Sequence, residues 1–191
     1  LQSQIHIGGE NMGGTGRHSI RLRGYDYRQP GWYFVTLCSQ GRKHIFAAAQ
    51  DQHIRLNHIG ILVQSCWQSI PEHFPEIQLD HFVIMPNHMH GIIVIAGAKH
   101  GFGESATLLN SVEPCFAPTG TLSGSLGAVI QNFKSVTTRK IHQLDGYHGM
   151  RVWQRNYYEH IIRIERELNT IRKYIIDNPA RWAIDRFHSS S

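Results

Sequence analysis

Cysteine is scarce in this chain, acidic residues are few, and long apolar runs are missing. The three cysteines, Cys38, Cys66 and Cys115, are odd in number, far apart and never in C-x-x-C spacing. That excludes a disulfide-rich secreted module and points to thiols in a reducing compartment. No apolar stretch approaches the roughly 18 residues that a membrane-spanning helix needs, and the N-terminus carries no apolar signal core. A cytoplasmic protein without membrane contact is therefore expected. The sequence has neither G-x-x-x-x-G-K-[ST] nor G-x-S-x-G, which removes the phosphate-loop and nucleophile-elbow classes. Gly13-Gly14-Thr15-Gly16 follows no strand pattern, and the 14 acids are too scattered to suggest a paired-carboxylate site.

What is present fits one globular domain. The chain has 191 residues, 41% of them hydrophobic and 10% aromatic, enough for a core without staples and too apolar for general disorder. The 14 histidines are spread along the chain and do not form a tag. Net charge is +5, and its placement is uneven. Residues 1–30 carry four Lys/Arg against two Asp/Glu, residues 31–124 four against six, and residues 125–191 eleven against six. The two ends are basic and the middle is mildly acidic, a balance that suits a polyanionic partner such as nucleic acid.

Residues 1–16, rich in Gly, Gln and Asn, read as a disordered lead, and 188–191 as a tail. The alternating stretch 19–27 reads as an edge strand or arm. Residues 32–38 follow Pro30-Gly31 and are β-branched and aromatic, which predicts a strand. Ile59, Leu62, Val63, Cys66 and Ile70 have helical spacing. Residues 77–85 and 89–95 predict a hairpin turning at Pro86-Asn87. Its second strand is apolar on both faces and should be central. Residues 96–123 read as a long flexible insertion. Residues 125–144 predict an amphipathic helix, 151–153 a short extended piece, and 165–177 a final helix stopped at Pro179. The order implies an α+β, ferredoxin-like sandwich over residues 17–187, with one central antiparallel sheet and helices packed on one of its faces.

Three features could carry chemistry. In a strand, residues two apart share a face, so His88 and His90 would set two imidazoles side by side, able to bind one divalent cation, while Met89 faces the core. Two unrelated polar residues at a strand end would show the same spacing. On the last helix Tyr174 and Asn178 lie four apart and share a face. The plainer alternative is a boundary tyrosine with a helix-ending asparagine. In 152–160, aromatic rings alternate with Arg and Gln. That suits a surface which stacks bases and holds phosphates, or equally an amphipathic connector with partly buried rings.

Taken together, these pieces resemble the single-tyrosine HUH transposases, and more closely their REP-associated tyrosine transposase-like branch. The resemblance covers roughly residues 17–187. It rests on the segments 17–27, 33–36, 83–91, 152–158 and 174–179, in that order. It implies that His88 and His90 are the paired metal histidines, that Tyr174 is the nucleophile, and that Asn178 is an amide reaching the metal. The cofactor would be Mg²⁺ or Mn²⁺, and the partner single-stranded or hairpin DNA. The implied reaction is cleavage and strand transfer through a 5′-phosphotyrosine. Tyr157 and Tyr158 are rival nucleophiles, ranked lower because their segment precedes the catalytic helix in the resembling family. Backbone and base contacts are expected from Arg17, Arg21, Arg23, Lys134, Arg139, Trp153, Arg155, Tyr157 and Tyr158. A domesticated hairpin-binding protein that does not cut, and an unrelated metal hydrolase using His88 and His90, are the alternatives. The sequence leaves open whether a homodimer forms and whether the tyrosine serves its own chain's site.

Overall fold

The computed structural model describes residues 25–50, 53–96 and 124–184. The expected lead at 1–16, the arm bearing Arg17, Arg21 and Arg23, nearly all of the 96–123 insertion and the tail lie outside the described residues.

The centre is a four-stranded antiparallel sheet in the order β4-β5-β1-β6. Its strands are β1 (Gly31–Cys38), β4 (Ile77–Ile84), β5 (His88–Ile95) and β6 (Tyr158–Ile162). A separate hairpin pairs β2 (Ala47–Gln50) with β3 (His53–Leu56). Among the described residues there are four α-helices: α1 (His58–Gln68), the single turn α2 (Ile70–His73), α3 (Leu126–His142) and α4 (Glu165–Asp177). A 3-10 helix, Pro179–Ile184, follows α4. Asn57 caps α1 by accepting from the Gly60 N–H, and Ser125 caps α3 by accepting from the Ala128 N–H. Among the described residues no helix is long and apolar enough to cross a membrane.

The α+β architecture with a central antiparallel sheet is as expected, but the helices are not confined to one face. Strand alternation divides the core in two. Tyr33, Val35, Leu37, Met89 and Ile93 face α1 and α3, with Trp67 and Phe133 among the buried rings there. Trp32, Phe34, Ile92, Val94 and Ile162 face the other way, onto Leu168, Ile171 and Ile175 of α4. Every residue of β5 is buried. A strand apolar on both faces needs cover on both, and α4 supplies the second layer. At Gly91 the cover comes so close that a Cβ would lie 2.4 Å from Trp67 Cζ2, so only glycine fits there.

Two further differences have local causes. The extended piece at 151–153 is only an isolated bridge between Trp153 and Ser39, and the edge strand begins later, at Tyr158. Between Leu79 and Phe82 the β4–β5 register slips by one residue. That bulge turns Phe82 toward the Trp67 side, 6.3 Å from its ring, and sets Val83 opposite His90 on the α4 side.

Candidate active site

The register of β5 aims His88 and His90 at the α4 face, beside Phe34 and Thr36 of β1. Both imidazoles are buried. Their Nε2 atoms face each other at 3.1 Å, and each Nδ1 is anchored from behind. Asn87 Nδ2 donates to the Arg42 carbonyl at 3.2 Å, which turns Asn87 Oδ1 toward His88 Nδ1 at 2.8 Å. A carbonyl oxygen only accepts, so His88 carries its proton on Nδ1 and leaves Nε2 as an acceptor. His90 Nδ1 meets the Thr36 hydroxyl at 2.8 Å. When one proton is shared between the two Nε2 atoms, His90 holds it and Thr36 donates to Nδ1. When both Nε2 atoms present lone pairs, Thr36 accepts from Nδ1–H. The hydroxyl serves either state.

Tyr174 completes the cluster from α4. Its hydroxyl lies 3.2 Å from His90 Nε2, and its ring meets the edges of His90 and Phe34. One helical turn later Asn178 is 2% exposed, and its Oδ1 has no hydrogen-bond partner among the described residues. Trp182 in the 3-10 helix packs its ring beside His88 at 5.9 Å and beside His44 at 5.5 Å.

The placement of Tyr174 depends on how α4 is tied down. Its apolar stripe docks on the sheet, and two polar ties fix its height. Near the N-terminus Glu167 accepts from the Arg163 backbone N–H at 3.0 Å and pairs with His160 of β6 at 2.6 Å. In the middle, Arg172 grips Asp80 of the β4 bulge through Nε at 3.1 Å and Nη2 at 2.5 Å. The same guanidinium lies 5.6 Å from the Trp32 ring centroid. Burial pushes the Asp80 carboxyl up, but hydrogen bonds from Arg172 and from the ring and backbone of His81 outweigh it and hold the group at about 2.

The donor set fits a loosely held divalent cation. Two nitrogen ligands at cis positions of an octahedral ion, each about 2.1 Å from it, stand about 3.0 Å apart. The observed 3.1 Å matches that spacing. The buried Asn178 Oδ1 is a neutral oxygen donor without a partner among the described residues. Among the described residues no group of three or more His, Cys, Asp or Glu side chains converges.

The remaining expected contact residues divide. Arg139 and Arg155 are exposed. Lys134 is not, since its ammonium donates to the carbonyls of Gln154, Arg155 and Asn156 at 2.9, 3.3 and 3.1 Å. Burial lowers it to about 8. Trp153 is 9% exposed, gives its indole N–H to Thr137 at 2.8 Å and packs on Phe46 and Phe133. The Tyr157 ring lies 5.5 Å from Lys134 Nζ, and Tyr158 sits edge-on to Phe34. Thr36, Asn87 and Trp182 are site residues that the sequence did not single out. Thr36 is visible only once β1 and β5 are in register, whereas Asn87 already adjoined the paired histidines.

No family model matches this chain. A solved structure of a REP-associated tyrosine transposase bound to a REP hairpin superposes with a TM-score of 0.54. It covers 84% of this chain and 73% of the other, at 17% identity. The fold is therefore that of a REP-associated tyrosine transposase. An uncharacterized protein of Haemophilus influenzae is 39% identical over 181 residues, which is 93% of this chain and 96% of the relative. The chain belongs to the family of that protein.

Proposed function

We propose that this protein cuts and rejoins single-stranded DNA by transesterification, with Tyr174 as nucleophile and His88, His90 and Asn178 as holders of Mg²⁺ or Mn²⁺. One observation carries the reading. The phenol oxygen stands 3.2 Å from an imidazole nitrogen that itself faces a second imidazole nitrogen at 3.1 Å, across 84 residues of sequence. The hairpin bound by the transposase of the same fold supports DNA as the substrate class.

The chain's own groups perform distinct tasks. Phe34 and His90 hold the tyrosine ring edge-on, which fixes the direction of attack. Tyr174 Oη attacks the phosphorus, the bond to the 3′-oxygen breaks, and the phenol is left esterified to the 5′-phosphate. The phenol proton passes to solvent and the departing 3′-oxygen gains one, so the step balances. The 3′-hydroxyl of another strand end can then attack the phosphotyrosine and regenerate Tyr174, with no nucleotide consumed. When bound, a divalent cation supplies positive charge against the non-bridging phosphate oxygens. Asn87 and Thr36 keep both ring nitrogens aimed at that point. The nucleophile and the histidines meet within one chain, which supports an active site completed without a second copy.

The test is Tyr174→Phe on a single-stranded oligonucleotide with Mn²⁺. The variant is expected to bind the strand and form no covalent adduct. An adduct at the wild-type level would remove Tyr174 from its role. A wild-type protein that binds without forming an adduct would favour the non-cleaving binder.

A further inference from the structure

The turn that leaves β1 carries backbone strain beside the histidine pair. Gly41 has φ +65°, and Arg42 after it has φ +55°. Glycine enters that left-handed region freely, whereas a side chain crowds the neighbouring carbonyl there. Among the described residues Arg42 alone, glycines apart, has a positive φ. Such a conformation persists only where surrounding bonds over-determine it. Here the bonds are present. Ser39 is fully buried and makes three of them. Its N–H donates to the Asn87 carbonyl at 2.8 Å, its carbonyl accepts from the Arg42 N–H at 3.0 Å, and its hydroxyl donates to the Lys43 carbonyl at 2.7 Å. Gln40 N–H donates to the Val152 carbonyl at 2.8 Å, and Phe46 N–H to the Pro86 carbonyl at 3.0 Å. The turn is thus sewn to the two residues that precede His88.

The strain aims one group. The Arg42 carbonyl points inward and accepts from Asn87 Nδ2 at 3.2 Å. At an ordinary negative φ that carbonyl would swing away from the amide. A primary amide can be seated either way round, and its two ends ask opposite things of a neighbour. With Nδ2 on the Arg42 carbonyl, Oδ1 meets His88 Nδ1 at 2.8 Å and keeps the ring proton there. Reversed, Oδ1 would face another oxygen, and Nδ2 would donate to His88 Nδ1. The neutral ring would then carry its proton on Nε2, the atom that faces His90 at 3.1 Å. A protonated ring nitrogen has no lone pair for a metal.

We infer that Ser39 and Arg42 are positioning residues for the metal site. The left-handed turn holds the Arg42 carbonyl where it sets the sense of the Asn87 amide, and the amide sets the His88 tautomer that leaves Nε2 open. The role belongs to the backbone of Arg42, whose side chain is exposed. The inference deepens the strand-cutting reading and rests on its assignment of His88.

The test reads the tautomer without metal or DNA, so it is decided whether or not the protein cuts strands. The imidazoles are labelled with heavy nitrogen and the metal-free protein is studied at about pH 8.5, above the ordinary imidazole value. Long-range proton–nitrogen spectra, with His88 identified by its loss in His88→Gln, are expected to place the proton on Nδ1. Arg42→Val brings a branched side chain that resists a positive φ. It should move the proton to Nε2 in a substantial fraction of molecules and weaken Mn²⁺ binding at least about tenfold. Arg42→Gly removes the guanidinium but permits the turn, and should recover the wild-type pattern in both measurements. A wild-type proton on Nε2, or a valine variant with its proton wholly on Nδ1, overturns the inference. So does a glycine variant as disturbed as the valine one, since that result would place the role in the guanidinium. Should the valine variant fold poorly, Ser39→Ala decides. It removes only the hydroxyl that closes the turn and should give the same mixture of tautomers, and a proton still wholly on Nδ1 overturns the inference. Wild-type protein that takes up no Mn²⁺ counts against the metal reading and leaves the tautomer result standing.

Discussion

Replacing Asp80 with asparagine preserves shape and removes the charge that Arg172 grips. The folded carboxyl sits at about 2 against an ordinary 3.8, because two guanidinium bonds and two bonds from His81 outweigh its burial. By linkage that depression is worth about 2 kcal/mol. Its sign is fixed. A carboxyl held lower in the folded state stabilises above the unfolded value and loses that contribution as pH falls through the folded one. Urea unfolding at pH 7 should therefore find Asp80→Asn less stable by about 2 kcal/mol, a gap that narrows below pH 4 and nearly closes at pH 2. The same substitution leaves Arg172 beside Trp32 without its carboxylate, two residues from Tyr174. Adduct formation should fall while affinity for single strands holds. A stability gap of equal size at pH 7 and pH 2 would refute the ion-pair reasoning. So would an unchanged adduct rate, for the claim that this tie sets the height of α4.

Three further outcomes are expected. Gly91→Ala should cost about 1–3 kcal/mol, since its methyl would meet Trp67 at 2.4 Å, and thermal unfolding at an undiminished midpoint would contradict the packing described. Thr36→Val removes the partner of His90 Nδ1 and should weaken Mn²⁺ binding about 10–100-fold by calorimetry; equal affinity would mean that the hydroxyl does not orient the ring. Lys134→Met should release the carbonyls at 154–156 and raise amide exchange in the segment from 152 to 157, whereas unchanged protection would show that the ammonium is not its anchor.

How far the sequence foretold this molecule depended on whether the relevant geometry was local. His88 and His90 share a face because β5 is regular and period two suffices. Tyr174 and Asn178 share one because α4 is an uninterrupted helix. The two faces of β5 were already apolar in sequence, yet which helix covers which face is a long-range fact, and α4 took the side that the one-faced expectation left bare. Ala47–Gln50 carries little β-propensity and became a strand only by pairing with His53–Leu56. The Asp80 bulge is invisible to alternation, since one inserted residue shows only against β5. The orientation of Trp153 and Lys134 was hidden for the same reason: ring and cation alternate locally, but Thr137 and the carbonyls at 154–156 turn both inward.

The most direct measurement is peptide mapping, by mass spectrometry, of the covalent species formed with a single-stranded oligonucleotide and Mn²⁺. The expected result is a 5′-phosphate on Tyr174, absent when His88 and His90 are both alanine. A phosphate on Tyr157 or Tyr158, or an adduct indifferent to the two histidines, would contradict the account.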